Sequence, residues 1–314
     1  MKVFDSLEHI TKGQNIVATI GTFDGVHLGH KKILQRIKDL AAETGGESVL
    51  ISFHPHPRLV LFPEKQDLKL LQTLTEKIET LRDFGLDTLI LIPFTKEFST
   101  TPSLDFIQKI LVEAIGIQRL VIGYDHHFGK NRSGDIHELR QLAPMFGYEV
   151  EEIPAQAIDN ANVSSTKIRA ALLSGDVVTA NTFLGYPYRF TGEVIHGEKQ
   201  GRLLGYPTAN LKVNDPTKLI PADGIYFVSV IYNKKTFYGM MSIGKKPTMG
   251  EFERGIEVNI FDFEENIYGE NLTIELLSYI RPEAKFDSLE SLIQAIDGDK
   301  EFCMREIEKM KKPA

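Results

Sequence analysis

Six of the nine histidines in this chain stand in pairs, and their imidazoles suit acid–base or phosphate chemistry. The pairs are His27 and His30, His54 and His56, and His126 and His127. Each pair follows a segment of β-strand composition, so all three are expected at one edge of a parallel sheet. Imidazoles there can donate hydrogen bonds to phosphate oxygens and stabilise charge on a leaving pyrophosphate. The alternatives are structural histidines and, as a weaker interpretation, a zinc site without a well-placed carboxylate or cysteine partner.

The first pair belongs to the segment GTFDGVHLGH, residues 21–30, which joins the first predicted strand to the first predicted helix. A helix N-terminus offers free backbone N–H groups and a positive dipole end to an anion. The three glycines of the segment allow tight turns and a close approach of the backbone to a ligand. The segment is neither a Walker A loop nor a G-x-G-x-x-G dinucleotide loop, so it predicts a different kind of phosphate site.

A second candidate anion site is the segment VSSTKIR, residues 163–169, which begins another predicted helix. Hydroxyl groups together with a lysine and an arginine in a first turn can form an anion clamp. The alternative is an ordinary Ser/Thr helix cap. The presence of the histidine loop in the same half of the chain favours the clamp.

The second half of the chain carries a different constellation. Glycines recur between residues 192 and 205, which is typical of a backbone flap over phosphates or of a bulged barrel corner. Thr208 and Asn210 follow, with oxygen atoms that suit a magnesium ion carried in by ATP. Glu257 opens an alternating segment and could accept a proton from an attacking hydroxyl, or it could simply face water.

The elements that must position these residues fall into two patterns. Strand-like and helix-like segments alternate up to about residue 184, which predicts an α/β domain with a parallel sheet. Its strands are predicted at Asn15–Ile20, Ser48–Phe53, Thr88–Ile92 and Arg119–Gly123, and its helices at Lys31–Ala42, Thr75–Phe84, Leu104–Ile115 and His137–Met145. Short alternating strands then predict a small antiparallel barrel or sandwich. These strands are predicted at Arg189–His196, Gly224–Tyr232, Thr236–Ser242, Glu257–Phe263 and Leu272–Ile280, before a Ser288-capped helix at Phe286–Met310.

Composition excludes several other classes of protein. The net charge is −7, whereas general nucleic-acid binders carry a basic surplus. The single cysteine, Cys303, excludes an internal disulfide framework and suits a reducing compartment. No apolar run approaches the ~18 residues of a membrane-spanning helix, and the first residues lack the pattern of a signal peptide. We therefore expect a cytoplasmic protein with neither nucleic-acid nor membrane partners.

The motifs H-x-G-H in residues 21–30 and SSTxIR in residues 164–169 resemble those of α/β nucleotidylyltransferases. With FHPHP and GYDHHFG, the first half resembles the N-terminal domain of bacterial bifunctional riboflavin kinase/FAD synthetases. The segments GEVIHGEKQGRLLGYPTANL, GIYFVSV, SIGKKPT, EVNIFDF and RPEAKFDSLESL are similar to the riboflavin kinase module. The resemblance implies a Rossmann-like nucleotidylyltransferase domain at residues 1–184 and a closed β-barrel with a terminal helix at residues 185–314.

The resemblance also implies two reactions: ATP phosphorylates riboflavin to FMN, and a second ATP adenylylates FMN to FAD with release of pyrophosphate. Magnesium accompanies ATP, and all partners are small molecules. The implied catalytic residues are His27, His30 and Glu257. The residues implied to bind ATP or phosphate are Gly21, Phe23, Asp24, Gly29, Ser165, Thr166, Arg169, Gly201, Thr208 and Asn210, with Thr208 and Asn210 also holding the metal. The implied flavin-binding residues are His54, Pro55, His56, Pro57, Asp125 and Phe128.

Two positions depart from the family pattern. The family commonly has an acidic residue in place of His54 and an aromatic residue in place of His126, so the resemblance does not define which residues contact FMN at these positions. Asn259 stands where the family varies, and it receives no role. The alternatives to the bifunctional enzyme are the same fold with one activity retained, or a sensor that binds flavin or nucleotide without turnover.

Overall fold

The computed structural model describes residues 1–10, 13–64, 68–124, 127–130, 133–154, 163–197, 201, 205–245 and 254–311. Contacts divide the chain into two compact units, Met1–Ser165 and Thr166–Ala314, below called unit 1 and unit 2. The predicted domain boundary between residues 184 and 185 lies further along the chain and stays a prediction.

Unit 1 is built on a six-stranded sheet whose paired strands are all parallel. The strands are β1 (Lys2–Phe4), β2 (Ile16–Ile20), β3 (Glu47–His54), β4 (Thr88–Pro93), β5 (Ile117–Gly123) and β6 (Glu149–Ile153). Their order is β1-β4-β3-β2-β5-β6, so the strand order reverses beside β2. Ligands of open parallel sheets bind beyond the strand ends at such a reversal.

Helices connect these strands. They are α1 (Leu28–Thr44), α2 (Pro57–Leu61), α3 (Leu74–Phe84), α4 (Ser103–Asp105, continued by a π-helical stretch Phe106–Ile115) and α5 (Ile136–Phe146). All four strands and four helices predicted for this half are confirmed within a few residues. The edge strands β1 and β6 were not predicted, because one is three residues long and the other carries three glutamates in EVEEI.

Both faces of the sheet are covered, as parallel sheets require. Every residue of β2 is buried. Ala18 and Ile20 join the core cluster on one face, whereas Val17 joins the cluster on the other. This double burial fixes the end of β2, from which the histidine loop starts.

Unit 2 contains a closed barrel of six antiparallel strands, in the order β10-β11-β8-β7-β12-β9. The strands are β7 (Arg189–Ile195), β8 (Ala209–Lys212), β9 (Gly224–Tyr232), β10 (Lys235–Lys245), β11 (Arg254–Ile260) and β12 (Asn271–Arg281). The helices are α6 (Ser165–Leu173), α7 (Val177–Leu184) and α8 (Leu289–Lys311). The barrel is thus the correct choice over the sandwich, and the short strand β8 was missed.

One predicted strand is displaced. Glu257–Phe263 was expected, but β11 ends at Ile260 because Asp262 turns the chain with φ of 54°, a left-handed conformation. The apolar alternation continues through Phe261 and Phe263, so the pattern alone does not reveal this turn.

Side chains attach the helices of unit 2 to its barrel. The Asn181 amide of α7 donates to the Leu276 carbonyl at 2.8 Å and accepts from the Tyr188 N–H at 2.7 Å. Helix α8 is attached by a bidentate ion pair between Arg281 and the buried Asp299. The expected cap of α8 is confirmed, because the Ser288 hydroxyl accepts from the N–H three residues later at 3.1 Å.

Candidate active sites

The histidine loop, residues 21–27, leaves β2 at the strand reversal and ends where α1 begins. The N–H of Gly21 continues the sheet by donating to the Ile51 carbonyl at 3.0 Å. Phe23 and Val26 then adopt φ angles of 46° and 34°, which residues other than glycine rarely adopt. Strain of this kind persists only where surrounding contacts impose it, and it concentrates at functional sites.

His27 caps α1 and stacks on His30. The Nδ1 atom of His27 accepts the backbone N–H of His30 at 3.4 Å, which leaves the ring proton of a neutral His27 on Nε2. The two imidazoles are nearly parallel, with ring centroids 3.6 Å apart, and the centroid of the Phe23 ring lies 4.6 Å from that of His30. Burial, with His27 and Lys77 nearby, holds the pKa of His30 well below its ordinary 6.5. His30 is therefore a neutral hydrogen-bonding group at pH 7.

Asp24 fastens the loop to the rest of unit 1. Its carboxylate is buried and accepts the N–H groups of Leu71 and Gln72, the closest at 3.0 Å. Its carbonyl accepts the Ser165 hydroxyl at 2.9 Å. The Asp24 carboxylate thus contacts protein backbone, as does the Ser165 hydroxyl. Contact of either residue with ATP stays a prediction.

The other predicted phosphate ligands of the first half are distributed as follows. Gly29 is buried in the first turn of α1, beside the stacked histidines. Thr166 is exposed and Arg169 half-buried in α6, the helix that Ser165 opens. Their contact with a triphosphate stays a prediction.

The second histidine pair lies at the end of β3, the neighbour of β2. His54 is exposed and precedes Pro55 through a cis peptide bond, and its carbonyl accepts the Phe94 N–H at 3.1 Å. His56 caps α2 by accepting the Arg58 N–H at 3.2 Å, with Pro57 at the first helical position. His54 is thus an exposed side chain at the end of β3, whereas one nitrogen of His56 caps the helix.

The third pair follows β5, on the other side of β2. His127 is exposed, whereas His126 and the predicted flavin ligand Asp125 lie outside the described residues. The strand ends that carry the described histidines are adjacent in the order β3-β2-β5, as expected.

Phe128, another predicted flavin ligand, is buried in the core of unit 1. Its ring lies 5.8 Å from that of Phe106, and its backbone pairs with Gly134. The Phe53, Phe94 and Phe98 rings form a neighbouring group with centroids 5.7 to 6.0 Å apart. Phe128 therefore has a packing role, and its flavin contact stays a prediction.

The barrel brings Thr208, Asn210 and Glu257 together. The Thr208 hydroxyl donates to Oε2 of Glu257 at 2.9 Å, and Glu257 on β11 is the register partner of Asn210 on β8. Glu257 is half-buried and bonded to Thr208, and Asn210 is 8% exposed, so the acid does not simply face water. Hydroxyl, amide and carboxylate oxygens here suit a hard cation that arrives with ATP.

Gly201 stands at the start of the predicted flap. Its carbonyl accepts the Tyr206 N–H at 2.8 Å, and a Cβ atom at Gly201 would lie 2.3 Å from the Tyr206 carbonyl oxygen. Only glycine fits this approach. The middle of the flap, residues 202–204, and the KPT part of SIGKKPT lie outside the described residues.

Comparison with known families matches both units. The family model of FAD synthetase matches residues 9–167, and the family model of riboflavin kinase matches residues 184–307. The chain is 38% identical to the bifunctional riboflavin kinase/FMN adenylyltransferase of Listeria monocytogenes over 91% of each protein. It is 36% identical to that of Bacillus subtilis over 94% of each. The chain belongs to the bifunctional riboflavin kinase/FMN adenylyltransferase family.

A solved structure supports the same fold for this riboflavin kinase/FMN adenylyltransferase family member. It is described as a macrolide-efflux protein from Streptococcus pneumoniae, with 32% identity and a TM-score of 0.87. The alignment covers 96% of this chain and 98% of that one. In the part of the chain that the structure describes, no helix is long and apolar enough to cross a membrane.

Two residues that support the family's predicted sites were missed in the sequence. Lys77 in α3 donates from Nζ to the Thr22 carbonyl of the histidine loop at 2.6 Å. Asn259 in β11 donates from its amide to the Pro207 carbonyl at 2.7 Å. Asn259 carries a signal that could have been used: it lies two residues beyond Glu257, so both project from one face of the strand. For Lys77 the only sequence signal is a lysine in the first turn of a helix, where the dipole disfavours a cation.

The zinc interpretation of the histidines gains no support. Among the described residues, no group of three or more histidine, cysteine, aspartate or glutamate side chains could hold a metal ion. The oxygen-bearing pair Thr208 and Asn210 is a different kind of site, since it would share its cation with ATP phosphates.

Proposed function

We propose that the two reactions of the family divide between the units. The barrel transfers the γ-phosphoryl group of ATP to riboflavin, and unit 1 transfers AMP from ATP to FMN. The hydrogen bond from Thr208 to Glu257 supports the first assignment, because it joins the predicted base to a predicted metal ligand. The stacked His27 and His30 at the N-terminus of α1 support the second.

In the barrel, Glu257 accepts the proton of the ribityl hydroxyl as that oxygen attacks the γ-phosphorus, the bond from that phosphorus to the bridging oxygen breaks, and ADP leaves. The Thr208 hydroxyl fixes one carboxylate oxygen of Glu257, and strand β11 fixes the backbone from which this side chain projects. The base is therefore preorganised. Thr208 and Asn210 would hold the magnesium ion of MgATP through their side-chain oxygens. Bound there, magnesium neutralises charge on the phosphates in transfer.

In unit 1, the FMN phosphate attacks the α-phosphorus of ATP in line. The nucleophile is already an anion, so no general base is required, and catalysis depends on positioning and charge stabilisation. The Nε2–H of His27 and the helix N-terminus supply hydrogen bonds to the leaving pyrophosphate. His30 is kept neutral and can contribute a donor without repelling the stacked His27.

The test separates the two reactions in the full-length protein. We expect Glu257→Gln to lower FMN formation from riboflavin and MgATP by about 100-fold or more, since general bases contribute 10²–10⁴-fold. It should leave FAD formation from supplied FMN within about twofold. His30→Ala should give the reverse pattern. Chromatography of the flavins over time, with and without a reductant, measures both reactions. Parallel loss of both activities in a folded variant would contradict the division.

We also propose that the enzyme acts in a reducing compartment such as the cytoplasm. Its one cysteine, Cys303, is a free and buried thiol in α8. Burial raises the pKa of that thiol to about 12, so it stays protonated and unreactive.

A further inference from the structure

Lys77 is a buried lysine in unit 1. Its side chain lies in the first turn of α3, and the residue is only 8% exposed. Lysine is rarely buried unless its charge has partners, and a cation in a first helical turn opposes the helix dipole. Fold stability alone does not explain a lysine at this position, because an apolar side chain would fill the space at a lower desolvation cost.

The partners of Lys77 lead to the histidine loop. Its Nζ donates to the Thr22 carbonyl at 2.6 Å and to the Ser52 hydroxyl at 2.6 Å. Ser52 is fully buried on β3, so the ammonium joins the loop to the sheet and to α3 at once.

The Thr22 carbonyl is a sensitive point of attachment. It belongs to the peptide plane that sets φ of Phe23, which has the left-handed value of 46°. The Phe23 ring lies 4.6 Å from that of His30, and His30 stacks on His27 at 3.6 Å. A change in the Thr22 peptide would therefore pass directly to the two histidines.

We propose that Lys77 is a positioning residue for adenylyl transfer, which fixes the histidine loop through the Thr22 carbonyl and places a positive charge beneath the phosphate site. This inference rests on the assignment of adenylyl transfer to unit 1. Lys77 does not touch the reacting atoms; it acts through Thr22, Phe23 and His30.

The charge of Lys77 depends on its surroundings. Burial lowers the pKa of Lys77 to about 8, against an opposing effect of the Asp24 carboxylate in the loop. His30 in α1 is the other ionisable neighbour, and Lys77 helps to lower its pKa. Glu76, beside Lys77 in α3, is engaged with the Thr73 N–H in the helix cap. Lys77 is therefore mostly protonated at pH 7 and loses its charge as the pH rises through about 8.

Lys77→Met keeps most of the length of the side chain and removes its charge and its hydrogen-bond donors. We expect it to lower kcat/KM for ATP in FAD formation by about 100-fold, the cost of misplacing a reacting group by about 1 Å. FMN formation from riboflavin should stay within about twofold, which reports that unit 2 has folded, and urea unfolding of the same variant checks that unit 1 has folded as well.

Lys218→Met is the matched control. Lys218 is a buried lysine in unit 2 that likewise donates to a backbone carbonyl, that of Arg189, at 2.6 Å. Its loss should leave FAD formation from supplied FMN unchanged. If Lys77→Met keeps FAD formation within about threefold of the wild type, the inference is wrong. If His30→Ala also keeps it, the assignment of the reaction to unit 1 is wrong as well.

Lys77→Arg tests the charge of Lys77 through the pH dependence of kcat/KM for ATP, which would not change if Lys77 had only a structural role. In the wild type, kcat/KM for ATP should fall as the pH rises through about 8, because the free enzyme loses the Lys77 charge. Arginine keeps its charge to above pH 12, so Lys77→Arg should move that fall out of the range of pH 7 to 10. A fall that stays at the same pH in Lys77→Arg would overturn the inference, even where Lys77→Met does not fold.

Discussion

The two units hold their phosphate sites by opposite means. The histidine loop of unit 1, residues 21–27, is largely buried and contains two non-glycine residues with positive φ, Phe23 and Val26. The barrel segment of unit 2, residues 205–210, is half-exposed for most of its length, and only its Gly205 has positive φ. One is a strained loop inside a domain, and the other is an extended segment that leads into a strand.

Their anchors differ accordingly. Buried side chains hold the histidine loop from α3, β3 and the segment before α3, with Lys77 and Asp24 at the centre. The barrel segment is held along its length by Glu257 and Asn259 of one strand, and at Tyr206 by Asp297 of α8.

This difference indicates how each site should respond to damage. A strained backbone relaxes when one buried anchor is lost, so its anchors should act together and have large effects. An extended segment has no such strain to release. Its anchors should act as separate hydrogen bonds with smaller effects, and damage in one unit should leave the reaction of the other intact.

The largest effect is expected for Asp24→Ala. The change leaves the N–H groups of Leu71 and Gln72 without their carboxylate and removes the charge opposite Lys77. We expect unit 1 to lose about 3 kcal/mol of unfolding free energy, since hydrogen bonds to a charged group contribute about 1.5–3 kcal/mol each. Urea unfolding, with FAD and FMN formation assayed in parallel, measures this, and FMN formation should survive.

Asp135→Ala is the control for that change. Asp135 also accepts two backbone N–H groups, at 2.9 and 3.0 Å, but it caps α5 near the surface. Its loss should have a smaller effect on stability and leave FAD formation intact. Equal effects of Asp24→Ala and Asp135→Ala on FAD formation would show that the loop is not specially strained.

A smaller effect is expected for Asn259→Ala in the barrel. Asn259 is 7% exposed, and its amide is the donor to the Pro207 carbonyl. Loss of one buried hydrogen bond costs about 1–3 kcal/mol, which we expect to appear as a rise of about tenfold in KM for ATP in FMN formation. Steady-state kinetics with riboflavin and MgATP would test this.

Asn214→Ala provides the comparison, because the Asn214 amide makes an exposed 3.3 Å contact with Glu193 outside the barrel segment. It should leave KM unchanged. A loss of FMN formation by several hundredfold in Asn259→Ala would contradict the view that the barrel segment has separable anchors.

The sequence predicts the histidine loop well and its supports poorly. His27 and His30 were found because a strand, a glycine-rich turn and a helix start follow one another within a few residues, which is local information. Lys77 and Asn259 act through contacts between residues 55 and 52 positions apart, which no local pattern encodes. The same holds for Asp24, whose carboxylate accepts the N–H groups of residues 71 and 72, which lie 47 and 48 positions away.

The smallest effect is expected for Tyr206→Phe, at the end of the barrel segment. The Tyr206 hydroxyl donates to the Asp297 carboxylate of α8, and this hydrogen bond helps to raise the pKa of Tyr206 to about 12. The phenol therefore keeps its proton between pH 6 and 9, and its effect should not vary with pH in that range. The bond is exposed, so we expect a loss of about 0.5–1 kcal/mol and less than about fivefold in KM for ATP.

A double-mutant cycle with Asp297→Ala decides whether that small effect comes from the hydrogen bond itself. If Tyr206 and Asp297 act only on each other, the double variant should be no worse than either single variant. Additive losses would mean that α8 supports the barrel segment by another route, such as the packing of Tyr206 against the buried cluster that contains Cys303 and Ile307 of α8. In that case the barrel segment, like the histidine loop, would depend on buried contacts, and the contrast between the two units would be narrower than their hydrogen bonds suggest.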